Sequence, residues 1–216
     1  MCVKARVEKL DVGVLINNVG MSYPFTKYFH ELKDSEIADI LEINIHSCTW
    51  MTRIVLGDVD ASSRSREATS GMLLRGRGAI VNTSSGGGRL TSPLLAEYSA
   101  AKSFVQLFSK GLTAELAPKG IDVQVQTPLF VTTKMAKIRK ASLTVPSPED
   151  YVKCAARHIG YDAEVSPFWA HSLQLWILSL LPEPVSVAIV NMQHQDIRKK
   201  GMKKERERLQ ESKKGE

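Results

Sequence analysis

The sequence predicts an α/β fold with a parallel sheet, and three observations carry that expectation. Short apolar runs at residues 12–17, 78–83 and 121–126 alternate with longer segments of helical periodicity, an alternation that builds a parallel sheet flanked by helices. The run Gly78-Ala79-Ile80-Val81-Asn82 ends in polar and glycine-rich residues, as a buried strand does where its carboxyl end opens into a loop. With 216 residues and 43% hydrophobic content, the chain is large enough for one domain with a sizeable core.

Taken in order, residues 3–10 read as the end of a helix and residues 12–17 as a short buried strand. Asp34-Ser35 offers a cap for a helix whose apolar positions Ile37, Ile40, Leu41 and Ile45 recur at helical spacing and continue toward Leu56. Residues 78–83 form the second strand. A helix from about Ala96 to Leu116 places Phe104, Leu107 and Phe108 on an apolar face and stops at Pro118-Lys119-Gly120. Residues 121–126 alternate as a third strand. The remainder reads as helix, one segment starting with Ser147 as cap and Pro148 in first position.

The chemistry concentrates in Glu97-Tyr98-Ser99-Ala100-Ala101-Lys102. Residues four apart share a helix face, so the Lys102 ammonium reaches the neighbourhood of the Tyr98 phenol. A free tyrosine has a pKa of about 10, and a nearby cation favours the phenolate, which makes the phenol a better proton donor near neutral pH. Ser85 lies thirteen positions before Tyr98, in the loop after the second strand. Its hydroxyl can hold a substrate carbonyl oxygen while Tyr98 protonates it during hydride addition. Ligands of open α/β sheets bind at such carboxyl ends. Outside that context, a Tyr–Lys pair is an ordinary helix face and Ser-Ser-Gly an ordinary loop.

A tyrosine, three residues and a lysine, with a serine about thirteen before, resembles the catalytic pattern of the short-chain dehydrogenase/reductases. Leu15-Ile16-Asn17-Asn18-Val19-Gly20 is similar to that family's strand ending in Asn-Asn-x-Gly, and Asn44 in Leu41-Glu42-Ile43-Asn44-Ile45 to its helix asparagine. The resemblance implies a Rossmann-like, doubly wound parallel sheet. It also implies that Asn44 completes a proton relay to Lys102 through water.

A narrower resemblance spans nearly the whole chain. The stretches Val14 through Pro24, Pro128 through Arg139, Val145 through Tyr161 and Pro167 through Ser172 resemble the membrane-bound very-long-chain 3-oxoacyl-CoA reductases of fatty acid elongation, most of all the plant members. These are relatives of the 17β-hydroxysteroid dehydrogenases. The implied reaction is NADPH-dependent reduction of a 3-oxoacyl-CoA to the 3-hydroxyacyl-CoA, with a steroid or retinoid ketone as the enzymatic alternative. Tyr98, Lys102, Ser85 and Asn44 would be catalytic, and Asn17, Asn18, Gly20, Tyr98, Lys102, Val131 and Thr133 would line the cofactor. Implied partners are the acyl-CoA substrate, other elongase subunits, a membrane and a second copy of the chain.

Two features depart from the family pattern. A doubly wound fold begins with a strand, a Gly-rich turn and a helix whose amino end receives the cofactor pyrophosphate, and this chain has no such motif. The expectation is therefore a sheet lacking the first βαβαβ half, with an exposed apolar edge beside residues 12–17. A non-catalytic chain that survives as an interaction partner stays open beside the enzymatic reading. The second departure is a polar insertion at residues 57–71, which reads as a disordered loop where the family has a direct turn.

Composition and charge separate three regions: residues 1–165 as the C-terminal part of the reductase domain, 166–197 as an apolar helical segment that meets substrate or membrane, and 198–216 as a basic tail. The tail holds nine Lys/Arg and four Glu, a net of +5 of the total +6, so the rest is near neutral and nucleic-acid binding is disfavoured. Lys213 and Lys214 stand third and fourth from the carboxyl end, resembling a dilysine retrieval signal of the endoplasmic reticulum, which a lysine-rich tail also produces by chance. Residues 168–190 are apolar but interrupted by His171, Gln174 and Pro182-Glu183-Pro184, so they suit a helix lying in the membrane interface or lining a substrate channel, or core packing, better than a span. The expected location is the cytosolic face of the endoplasmic reticulum membrane. Cys2, Cys48 and Cys154 have neither metal-ligand nor redox spacing, and a disulfide framework is not expected.

Overall fold

In a computed structural model, residues 3–7, 10–59 and 70–214 are described. The elements run α1 (Val3–Val7), β1 (Val14–Asn17), α2 (Asp34–Leu41), α3 (Ser47–Leu56), α4 (Gly71–Arg75), β2 (Gly78–Thr83), α5 (Ala96–Leu116), β3 (Ile121–Gln126), α6 (Pro148–Arg157), β4 (Glu164–Val165), α7 (Trp169–Leu180) and α8 (Glu183–Lys214). Among the described residues the three strand pairs are parallel, in the order β1-β2-β3-β4. The α/β parallel sheet expected from the alternation is present, with β1 at one edge.

Register explains the layers. Leu15, Ile80 and Val123 are aligned across three strands and are buried with Val55, Leu56, Met72, Leu116 and Ile121 in one cluster. This cluster joins the sheet to α3, α4 and α5. On the opposite face α6 covers β3: the Gln124 amide donates to the His158 carbonyl at 2.7 Å, and that of Gln126 to Ala155 at 3.3 Å. Over β1 that face is bare, with Val14 and Ile16 51% and 58% exposed.

Several boundaries differ from the sequence expectation for identifiable reasons. The first strand begins at Val14, not residue 12, because the Val12 carbonyl accepts from the Arg75 guanidinium instead of joining a ladder. Lys33, not Asp34 or Ser35, caps α2; the Glu36 carboxylate turns back to accept its backbone N–H at 3.0 Å. Between α2 and α3 the helix passes through one π-helical stretch, Glu42–His46. The chain beyond β3 is not all helix: it includes a long loop before α6, and β4, too short to show periodicity. The helix boundary near the carboxyl end falls at Leu181-Pro182, and α8 runs through residue 198 without a break.

Most of the polar insertion, residues 60–69, lies outside the described residues. Its two ends meet. Gly57 and Gly71 both hold positive φ, and a Cβ on Gly71 would lie 2.6 Å from the Gly57 backbone. Ser70 Oγ accepts from the Asp58 N–H at 3.0 Å, closing the neck between α3 and α4.

Candidate active site

Ser85 and Tyr98 meet at the carboxyl end of β2. The Ser85 hydroxyl stands beside the Tyr98 phenol, and Ser85 Oγ accepts from the Gly87 N–H at 3.1 Å. The loop carrying Ser85 is pinned to α5. Gln106 Nε2 donates to Ser84 Oγ and to the Ser85 carbonyl, both at 3.0 Å, while Ser84 donates to the Lys102 carbonyl at 2.7 Å and Ser103 to Gly88 at 2.6 Å. This contact needs glycine: a Cβ on Gly88 would lie 2.7 Å from the Lys102 carbonyl carbon.

Lys102 is buried on the same helix face, its Nζ 5.9 Å from the Tyr98 ring centroid and donating to the Thr83 carbonyl at 3.2 Å. Burial pushes its pKa down to about 8, where the ammonium still predominates at neutral pH. The expected acidification of Tyr98 by this cation is not seen. Burial raises the phenol above its ordinary value, and the Ser85 hydroxyl beside it offsets only part of that. Lys102 instead interacts with Cys48, whose thiol burial pushes up to about 11.

Asn44 reaches the same point from the π stretch. Its amide donates to the Met21 carbonyl at 2.9 Å and to Ile40 at 3.0 Å, and its Oδ1 accepts from the Met21 N–H at 3.3 Å. Gly20 lies between it and the lysine: a Cβ there would be 3.0 Å from both Asn44 Oδ1 and Lys102 Nζ. Asn-Asn-Val-Gly, the π stretch and α5 thus converge within contact distance.

Other sequence-selected residues have different surroundings. Asn17 Nδ2 donates to Thr52 Oγ1 at 3.0 Å and Asn82 Oδ1 at 2.8 Å, so its amide ties β1 to β2 and α3. Asn18 is exposed on the loop that follows. Val131 is partly buried, and Thr133 closes a turn by accepting from the Ala136 and Lys137 N–H groups. Both sit on the loop after β3, which meets the Ser85 loop where Pro128 accepts from the Gly86 N–H at 2.7 Å.

The sequence reading missed the groups that hold these loops. His171 on α7 is fully buried: Leu129 N–H donates to its Nδ1 at 3.3 Å, placing the proton on Nε2, which faces the Phe130 carbonyl at 3.1 Å. On α8, His194 Nδ1 faces the Pro93 carbonyl at 2.6 Å, next to Leu94, whose φ of 67° is left-handed. Burial lowers the pKa of both imidazoles. Gln106 lies four residues after Lys102 on the same helix face, but its sequence does not mark its amide as buried.

The pattern of the short chain dehydrogenase family matches residues 2–143, about two thirds of the chain. The chain belongs to the short-chain dehydrogenase family. Its sequence is 44% identical over 183 residues to a very-long-chain 3-oxoacyl-CoA reductase-like protein of Arabidopsis thaliana, covering 82% of this chain and 54% of that protein. It is 40% identical over 204 residues to the very-long-chain 3-oxoacyl-CoA reductase of Homo sapiens, covering 94% and 61%. The chain therefore spans little more than half the length of these relatives. A short-chain dehydrogenase from Sphingobium yanoikuyae, solved with NADPH, shares the fold with a TM-score of 0.64 at 24% identity, over 82% of this chain and 66% of that one. Within this family fold, the buried Lys102 ammonium has three donors but, among the described residues, one hydrogen-bond acceptor. Its two spare donors fit the hydroxyls of a nicotinamide ribose.

Proposed function

We propose that the chain serves NADPH-dependent reduction of a 3-oxoacyl-CoA to the 3-hydroxyacyl-CoA in very-long-chain fatty acid elongation. The observation that carries this reading is the Ser85 hydroxyl beside the Tyr98 phenol and buried Lys102, in a chain similar to named 3-oxoacyl-CoA reductases along 82–94% of its length. Bound NADPH would supply a hydride to C3 of the substrate. Ser85 orients the C3 carbonyl oxygen, and Tyr98, protonated because burial raises its pKa, donates its phenolic proton to that oxygen as the C–H bond forms. Lys102 would hold the hydroxyls of the nicotinamide ribose with its two spare donors. Asn44, fixed by three backbone hydrogen bonds, positions a water that returns a proton through Lys102.

The experiment is to titrate the 216-residue chain with NADPH and then follow NADPH oxidation on adding a 3-oxoacyl-CoA. Saturable binding and substrate-dependent oxidation are expected. Failure to bind NADPH sinks the claim that this chain acts as the enzyme and favours the interaction-partner reading. Faster turnover of a steroid ketone than of any 3-oxoacyl-CoA redirects the assignment.

We further propose that α7 lies in the cytosolic interface of the endoplasmic reticulum membrane. Among the described residues no helix is long and apolar enough to cross a membrane. Exposed Trp169, Leu173, Trp176, Ile177 and Leu180 fall at helical spacing on one face of α7, and tryptophan favours the headgroup level. Co-flotation with anionic liposomes, lost in Trp176→Asp/Ile177→Asp, is the expected result; unchanged flotation refutes it.

A further inference from the structure

The segment after β3 has an unusual charge pattern. From residue 123 to residue 148 there is no Asp or Glu, yet Lys134, Lys137, Arg139 and Lys140 crowd into seven positions. The rest of the chain before residue 198 carries a slight acidic excess, so this is a local concentration of positive charge. Lys134, Arg139 and Lys140 are exposed, and among the described residues none has an ion-pair partner.

The backbone gives this charge a fixed place. Thr132 N–H donates to the Pro146 carbonyl at 3.1 Å, so the segment leaves and returns at one point. Thr133 closes a turn to Lys137, which holds a left-handed φ of 55° and sends its ammonium to the Pro24 carbonyl at 2.5 Å. Pro24 belongs to the loop after β1, whereas the segment grows from β3, and β2 lies between those strands. The segment therefore crosses in front of the carboxyl end of β2, where Ser85 stands. Lys137 is the tie, and its three cationic neighbours are left on the rim.

We infer that Lys134, Arg139 and Lys140 form a phosphate-binding rim for the nucleotide end of the coenzyme A thioester. The inference rests on the 3-oxoacyl-CoA reading and adds which residues grip the part of the substrate that does not react. In such a thioester the pantetheine arm separates the reacting carbonyl from the 3′-phosphate and pyrophosphate. Cations for those phosphates belong on the rim of the cleft, at a distance from Tyr98. The arginine supplies a planar fork for two phosphate oxygens, and the lysines supply point charges. NADPH carries phosphates of the same chemistry, so the test separates the two nucleotides.

The test uses isothermal titration of the chain and of Lys134→Glu/Arg139→Glu/Lys140→Glu at low salt, with acetoacetyl-CoA, acetoacetyl-pantetheine and NADPH as probes. All three positions are exposed and Lys137 is kept, so circular dichroism and melting are expected to be unchanged. Acetoacetyl-CoA binding is expected to weaken about tenfold, with the wild-type affinity falling as salt rises, while acetoacetyl-pantetheine and NADPH binding stay the same. No acetoacetyl-CoA binding by the wild type, no change in the variant, an equal loss for acetoacetyl-pantetheine, or a loss confined to NADPH each overturns the proposal. Salt-sensitive acetoacetyl-CoA binding without any reduction refutes the reductase reading and leaves the rim standing. Reduction of both thioesters with KM values unaffected by the triple change does the reverse.

Discussion

Ile16 and Val81 are register partners on neighbouring strands and point to the same face of the sheet, yet one is 58% exposed and the other 2%. The difference recurs in the residues around them. On the β2 side, Ser84, Ser85, Gln106 and Lys102 are cross-linked by hydrogen bonds between loop and helix. On the β1 side, one face is packed through Leu15 and the other is open. Chemistry needs groups held still, so it sits with the doubly packed strand, whereas the edge strand offers surface.

The comparison is sharpened most by Tyr98→Phe, which removes one hydroxyl beside β2 and is expected to lower reductase turnover about 1000-fold with little change in melting. Ordinary turnover in that variant would move the proton donor elsewhere. Next is Lys102→Met, expected to stabilise the ligand-free fold by about 2 kcal/mol at pH 7 while abolishing turnover. The sign follows from the depressed lysine: between pH 8 and its ordinary value the unfolded chain binds more protons than the folded one, so wild-type stability rises with pH there. The advantage of the variant, read from urea melts, should therefore shrink across that window; a constant difference would assign it to packing.

Smaller effects test the two faces directly. Val81→Ala should cost about 2 kcal/mol, and Ile16→Ala below about 0.5 kcal/mol, in the same urea melts. Equal costs would mean that something covers the open face in solution. Ile16→Lys should leave the melt unchanged, because the added charge stays in water on the open face.

Strands and long helices were legible where period and chemistry agreed. Ala96–Leu116 and its face of Tyr98 and Lys102 follow from spacing alone, as does the Ser147–Pro148 start of α6. Gln106 stood on the same face and escaped notice because a buried amide and a solvated one look alike in sequence. His171 and His194 were unreadable for a different reason. Each imidazole serves a carbonyl more than forty residues away in sequence, and only the docking of α7 and α8 brings them together. Tyr98 shows a third limit: spacing places the lysine near it, but the balance between burial and charge depends on how tightly the site closes.

The π-helical stretch at Glu42–His46 sets the phase of the long helical region that contains it. Before it, Ile40 faces the core; within it, Asn44 grips the loop after β1; beyond it, Thr52 meets Asn17 at the end of β1. Winding the stretch into a regular α-helix without removing a residue would turn everything downstream by about 100° around the axis. Thr52 and Val55 would then swing off the sheet while Ile40 stayed in place. The stretch absorbs one extra residue between two docking points, so a straighter helix of the same length would satisfy its own backbone and lose its hold on the sheet.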